Sequence, residues 1–190
     1  MEVALHWAAA EDMARHLRAQ EVDLCVASQP IHAAGLEAVQ LLDEAVWVAT
    51  SLDHPLAGRT SVSIDELADQ SFVSARKGHW QRRLLDRLFA ARGLTPKIVC
   101  EVDEPSSIAD LIGAGLGIGL VPSFARHTSI RAPLVAITVD SPDCRRALTL
   151  YWGADSHLST AARLMRTMIT NWNWTTGDAP ASHSEGLSGR

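Results

Sequence analysis

The sequence predicts an α/β fold in which mostly parallel strands alternate with helices. Three observations carry this. Continuous apolar runs of strand length recur along the chain, and segments with apolar residues three and four apart lie between them. A glycine-spaced stretch, DLIGAGLGIGLVPSF (Asp110 to Phe124), joins the end of a helix to the start of a strand. The 190 residues, 47% hydrophobic and 21% charged, suit one domain or two small lobes. At this size folding buries roughly 70% of the surface the unfolded chain exposes, so neither a disulfide nor a metal is needed to complete a core.

Taken in order, EVALHW alternates as a strand does, and AAEDMARHLRAQ places Met13 and Leu17 four apart with Ala10 and Ala14 beside them. EVDLCVAS is a continuous apolar run, expected for a strand covered on both faces. Strand, helix and strand within about 28 residues make a βαβ unit with a right-handed crossover. A strand over about Ala45 to Thr50 is stopped by Asp53, Pro55 and Gly58. Ser63 with Glu66 three residues later forms a capping box.

SFVSA is a further strand. It leads into the helix HWQRRLLDRLFAARGLTP, whose stripe is Leu84, Leu85, Leu88 and Phe89, with Gly93 as the stop and Pro96 beyond it. KIVCEV is a strand and SSIADLIGAG a helix capped by Ser106 or Ser107. LVP, LVAITV and RALTLYWG follow as strands. The last helix, about Leu158 to Trp172, turns Ala161, Leu164, Met165, Met168 and Trp172 inward. Residues 175–190 are small, polar and aperiodic, as in a disordered tail.

Composition narrows the function. A net charge of −5 argues against this polypeptide holding a phosphate backbone by itself. Arg82, Arg83, Arg87 and Arg92 are spaced as a solvated helix face. Three cysteines without CxxC or Cys/His spacing imply buried, reduced thiols. The absence of a signal sequence and of a long apolar span is expected for a cytoplasmic chain with no membrane contact. The eight histidines are scattered singly, without metal-ligand spacing. Asp103 and Glu104 are adjacent carboxylates expected to be solvated, and no convergent nucleophile or acid–base set suggests catalysis. No cofactor is implied. A dinucleotide fingerprint runs strand, glycines, helix; here the order is reversed. Gly113 or Gly115 therefore fits a left-handed helix cap, and Gly117 and Gly119 a tight turn with close backbone packing.

The segment EVDEPSSIADLIGAGLGIGLVP closely resembles the signature of the effector-binding domain of LysR-type transcriptional regulators. RGLTPKIVCEV, EVDLCVAS, LLDEAVWVATSLDHPLA and LTLYWGADSHLSTAARLMRTMI resemble other segments of that family in the same order, covering about Val3 to Trp172. The resemblance implies a type 2 periplasmic-binding-protein-like fold: two α/β lobes around a cleft, crossed by two strands. Carried onto this chain, lobe one is residues 1–69 with 148–174, and lobe two is residues 70–147. The family's winged helix-turn-helix and linker helix have no counterpart here, nor does the opening strand and helix of lobe one. EVALHW corresponds to the second strand, so a gap is expected between Val3–Trp7 and Val22–Ala27 unless they pair directly or another chain fills it. The expectation is a truncated chain with an incomplete first lobe, less stable than a complete effector domain.

The resemblance implies a small-molecule effector, an organic anion, sensed in the cleft and converted into a change of lobe and dimer packing. DNA would be reached only through a winged helix absent from this chain. A two-fold homodimer is expected, with reciprocal contacts by the helices Asp12–Ala19 and Trp80–Ala91. The candidate ligand contacts are Ser28 and Gln29 from lobe one, and Ser74, Arg76, His79, Ser106 and Ser107 from lobe two. Ser106 and Ser107 serve either as caps alone or as caps that also meet a ligand. Arg76 is either a bidentate carboxylate clamp or an exposed loop residue. A solute-binding protein or an enzyme on the same fold is the alternative reading.

Overall fold

The computed structural model describes residues 3–6, 8, 10–103, 107–126 and 133–175. Chain order is α1 (Ala10–Arg18), β1 (Cys25–Ala27), β2 (Leu36–Ser51), β3 (Ser61–Val62), β4 (Ser71–Ala75), α2 (Trp80–Ala90), β5 (Lys97–Val102), α3 (Ser107–Gly113), β6 (Gly119–Pro122), β7 (Leu134–Val139), β8 (Arg145–Gly153) and α4 (Thr160–Asn171). Short 3-10 turns occupy Asp65–Leu67 and Ser123–Arg126.

The axis of the molecule is β2. Its 16 residues would span roughly 50 Å if straight. Residues Leu36 to Ala45 pair antiparallel with β8, and β8 pairs in turn with β1. From Val46 onward β2 changes partners and lies between β6 and β7, again antiparallel. A register shift between Gln40 and Leu42 marks a bulge in the β2–β8 ladder, which increases local twist. Among the described residues parallel pairing is confined to β4–β5, β3–β7 and the Phe72–Ile118 bridge, so antiparallel ladders outweigh the mostly parallel arrangement expected. β2 and β8 are the two crossing strands, and because they run in opposite directions they pair antiparallel.

The strand β4 shows how sequence pattern becomes packing. Phe72 meets Phe89 of α2 edge-on, with ring centroids 5.5 Å apart. Val73 and Ala75, on the opposite face, pack with Ile108 and Ile112 of α3. A strand covered by helices on both sides is buried on both faces, which is why Phe72, Val73, Ser74 and Ala75 are all buried in succession.

The core around Phe72 and Phe89 also contains Val46, Val48, Val62, Ile64 and Leu67. Residues from 46 to 67 share this core with residues from 72 to 144. The reason lies in β2, whose second half feeds the same sheet as β6 and β7.

The glycine stretch does what the residues suggested. Gly115 has φ +81° and closes α3 in a Schellman motif: Leu116 N–H donates to Leu111 O at 3.2 Å and Gly115 N–H to Ile112 O at 2.9 Å. Gly117 and Gly119 then pass so close to β4 that a Cβ would lie 2.4 Å from Ser71 O and 2.8 Å from Val73 O respectively. The capping box is also formed, with Glu66 Oε2 accepting from Ser63 N–H at 2.8 Å.

Three expectations change. Residues 3–6 of EVALHW form no strand, so the predicted βαβ unit is absent, and β1 has β8 as its one strand partner among the described residues. Leu164 and Met168 of α4 are exposed, at 64% and 52%, rather than inward; nothing in the described chain covers that stripe. Arg82 is buried, not on a solvated face, and its guanidinium binds Asp86 at 2.9 Å and Glu101. The expected disordered tail falls, from residue 176 onward, outside the described residues.

One buried ion pair ties the crossing together. Glu44 on β2 and Arg146 on β8 are cross-strand partners with side chains 3% and 12% exposed. Glu44 accepts from Arg146 Nε at 2.7 Å and from its second nitrogen, from Ser123 Oγ at 2.9 Å and from Phe124 N–H at 2.6 Å. The Arg146 guanidinium also lies 4.6 Å over the ring of Trp80. On the opposite face Arg145 pairs with Asp43 at 3.0 Å, half exposed.

Glu44→Ala, which strands a buried guanidinium, is expected to cost about 3–5 kcal/mol in urea unfolding; a loss below about 1 kcal/mol would contradict a tightly engaged pair. In the same assay Gly117→Ala is expected to lose about 1–3 kcal/mol through forced backbone displacement.

Candidate functional site

The candidate site gathers where the end of β1 faces the loop entering α2. Ser28 and Gln29 follow β1 directly and are half-buried. Gln29 Nε2 donates to Gly78 O at 3.4 Å, a contact spanning 49 residues of chain that brings the two predicted halves of the site together.

The facing loop is Arg76 to His79. Gly78 takes φ +98°, and His79 N–H donates back to Arg76 O at 3.2 Å, closing a turn that aims the chain into α2. His79 occupies the N-cap position of α2 without a side-chain cap bond, so its imidazole stays exposed at the mouth of the loop. Arg76 is anchored through its backbone, which donates to Val102 O at 3.2 Å. Its guanidinium pairs with Asp103 at 2.7 Å. Both side chains are well exposed, so the pair contributes at most about 1 kcal/mol and holds the guanidinium beside the link from β5 to α3.

Ser74 lies inside β4 and is 4% exposed; its position in a doubly covered strand removes it from the surface. Arg76 is already paired with a carboxylate, and Asp103 is engaged rather than merely solvated. Ser107 begins α3 and is half-buried. Ser106 lies outside the described residues.

A buried polar residue beside the site was not anticipated. Gln81, in the first turn of α2, is buried; its Nε2 donates to Leu120 O at 3.0 Å, and its Oε1 has no hydrogen-bond partner. Trp80 beside it carries the Arg146 guanidinium. Gln81 stands in a run of polar residues, HWQRR, that gives no hint of burial. Glu44 and Arg146 did leave a trace: an acidic pair, Asp43 and Glu44, on one crossing strand and a basic pair, Arg145 and Arg146, on the other.

The chain matches the family model of the LysR substrate binding domain over residues 1–174. It belongs to that family. It is 28% identical over 153 residues to the HTH-type transcriptional regulator YybE of Bacillus subtilis, covering 80% of this chain and 52% of the relative. It is 27% identical over 160 residues to the RuBisCO operon transcriptional regulator of Allochromatium vinosum, covering 84% and 53%. The chain thus spans about half the length of the curated relatives it matches.

Among solved structures, the regulatory domain of Synechocystis CcmR in complex with 2-PG superposes with a TM-score of 0.78 at 24% identity, covering 95% of this chain and 86% of that one. The effector-binding domain of QuiR in complex with shikimate gives 0.72 at 24% identity, covering 86% and 77%. The fold of this LysR-family domain is the two-lobed, type 2 periplasmic-binding-protein-like fold.

Among the described residues no three His, Cys, Asp or Glu side chains assemble as a metal site, and no helix is long and apolar enough to cross a membrane. Burial pushes the Cys25 thiol up from 9.0 to about 11. Burial likewise pushes Cys144 up to about 12, against a small opposing effect of Arg87. A thiol held protonated is a poor nucleophile. Cys25 and Cys144 of this LysR-family domain are therefore expected to resist alkylation at pH 8 until the protein is unfolded by urea. Because both pKa values are raised on folding, their contribution to stability is full below pH 9 and is lost as pH rises toward 11–12; mass spectrometry of iodoacetamide-treated protein and alkaline unfolding curves check the two parts.

Proposed function

We propose that this chain is the small-molecule sensing module of a LysR-type transcriptional regulator and that an organic anion binds between the β1 end and the Arg76–His79 loop. The observation carrying this reading is the Gln29–Gly78 hydrogen bond at 3.4 Å. It is a long, single contact between two parts of the chain held by different cores, which a ligand can replace with several better ones. In this reading the lobes divide where β2 changes partners, at 45/46, and again at 144/145 on the return. Ser28, Gln29, Arg76, His79, Ser106 and Ser107 contact the ligand. Ser74 supports the loop from inside β4. Asp103 sets the Arg76 guanidinium in place and is shared or displaced when a carboxylate arrives.

The relatives named above are transcriptional regulators, and the similar domains of CcmR and QuiR are held with 2-PG and with shikimate. These support binding without turnover, in the cytoplasm, as part of a regulator that meets DNA through a winged helix-turn-helix. Closure over the ligand transmits a signal only if the closed form packs differently in the assembly. The amphipathic helices α1 and α2 are the surfaces proposed to pair about a two-fold axis in a homodimer.

A thermal-shift panel of small organic acids, shikimate included, tests the reading. A bound acid at a hundredfold excess over its Kd is expected to raise Tm by about 5–10 °C. Arg76→Gln and Gln29→Ala are each expected to weaken that acid by about tenfold. Equal binding by wild type and both variants would refute this site.

A further inference from the structure

A second cavity lies at the far end of β8 from the candidate site. The register places Ala27, just before Ser28, opposite Thr149, whereas the end of β8 at Trp152 and Gly153 pairs with Glu37 and Leu36 at the start of β2. There a cavity of about 240 Å³ opens between the β8–α4 turn and the first two turns of α4. Its wall includes Arg163, Arg166, His157, Ser156 and Trp152, and no carboxylate.

The two arginines are held in place but not neutralised. Arg163 donates to Leu158 O at 2.8 Å and to Thr160 Oγ1 at 3.1 Å. Arg166 lies with its guanidinium carbon 4.8 Å from the centroid of the Trp152 ring. Neither has an acidic partner among the described residues, in contrast to Arg76, Arg82, Arg145 and Arg146, which all do. Arg163 closes the first turn of a helix whose first turn contains no acidic residue, where the helix dipole already disfavours positive charge. Two fixed guanidinium groups that face a cavity without a counter-charge form an arrangement a bound anion relieves. Their planar donor forks match the oxygens of a phosphate or carboxylate.

We infer that this cavity is a binding site for a small oxyanion, separate from the site between Gln29 and Gly78. Its volume falls below the range of drug-sized pockets, about 300–1,000 Å³, which fits a phosphate or carboxylate group with few further atoms. Trp152 acts as a positioning residue: its ring holds the Arg166 guanidinium carbon 4.8 Å from its centroid without using any of the guanidinium N–H donors. Ser156 sits across the opening, its Oγ donating to Gly153 O at 2.7 Å, and keeps acceptor capacity rather than a free donor, so the guanidinium groups supply the recognition.

The test is a titration of the whole chain with inorganic phosphate, followed by ¹H–¹⁵N correlation spectra, with sodium chloride adjusted to constant ionic strength. A parallel arm uses acetate, to separate a preference for phosphate from one for carboxylate. Saturable shifts are expected at Gly153, Ser156, His157 and the Arg163 and Arg166 Nε resonances. Arg166→Gln is expected to weaken binding about fivefold or more, whereas Arg166→Lys, which keeps the charge but not the fork, retains part of it. The guanidinium of Arg166 makes no hydrogen bond within the described chain, so both variants are expected to keep the wild-type Tm. Shifts that fail to saturate, that chloride reproduces, or that survive Arg166→Gln unchanged would overturn the proposal. So would saturable shifts at residues 28, 29 and 76–79 alone, which would support the other site instead.

Discussion

The structure turns on the buried pair Glu44–Arg146, where the two crossing strands meet. Removing both charges from water is costly, and the attraction between them repays it only if every lone pair and donor is used. Glu44 meets that demand by accepting from Arg146, Ser123 and Phe124 together. The consequence is geometric more than energetic. β2, β8, the 3-10 turn after β6 and, through Trp80, the start of α2 are all held to one point. A hydrophobic pair at the same place would tolerate sliding; an ion pair with four directional bonds does not.

From that fixed point the rest of the architecture follows. Val46 N–H donates to Cys144 O, and the Cys144 thiol donates to Val46 O, so the change of partners along β2 is sealed on the adjacent residues. Beyond it, β6 can enter the sheet only because Gly117 and Gly119 let the chain pass against β4. This in turn sets α2 and α3 on opposite faces of β4. The Arg76–His79 loop emerges from the top of that sandwich and faces Gln29. The candidate site is thus assembled from chain segments far apart in sequence, and a short list of backbone constraints determines where they meet.

Much of this was legible in the residues. The apolar runs gave the strands, the Ser63–Glu66 box and the glycine ladder gave their local geometry, and the resemblance of EVDEPSSIADLIGAGLGIGLVP to LysR-type domains agrees with the family match. What was not legible has a common cause. Burial of Arg82, Glu44 and Gln81 depends on partners contributed by distant strands, and no local period reveals it. β2 was expected only from Ala45. Its first half, with exposed residues such as Glu37 and Gln40, lacks the apolar run that marks a covered strand. The stripe of α4 was expected inward on periodicity alone, yet a stripe needs a facing surface, and for Leu164 and Met168 the described chain provides none.

The cores on the two sides of the crossing are unequal. Among the described residues, one gathers fifteen buried side chains around Phe72 and Phe89; the other, beneath α1, has Leu17, Cys25, Ala27 and Tyr151. Since cooperative opening follows buried apolar contact, the two sides do not share one fate under stress. The α1–β1 side loosens first, while the strand ladder beyond Val46 keeps its shape. A guest seated between Gln29 and Gly78 would then rest on one firm wall and one yielding wall, and its occupancy would stiffen mainly the yielding one.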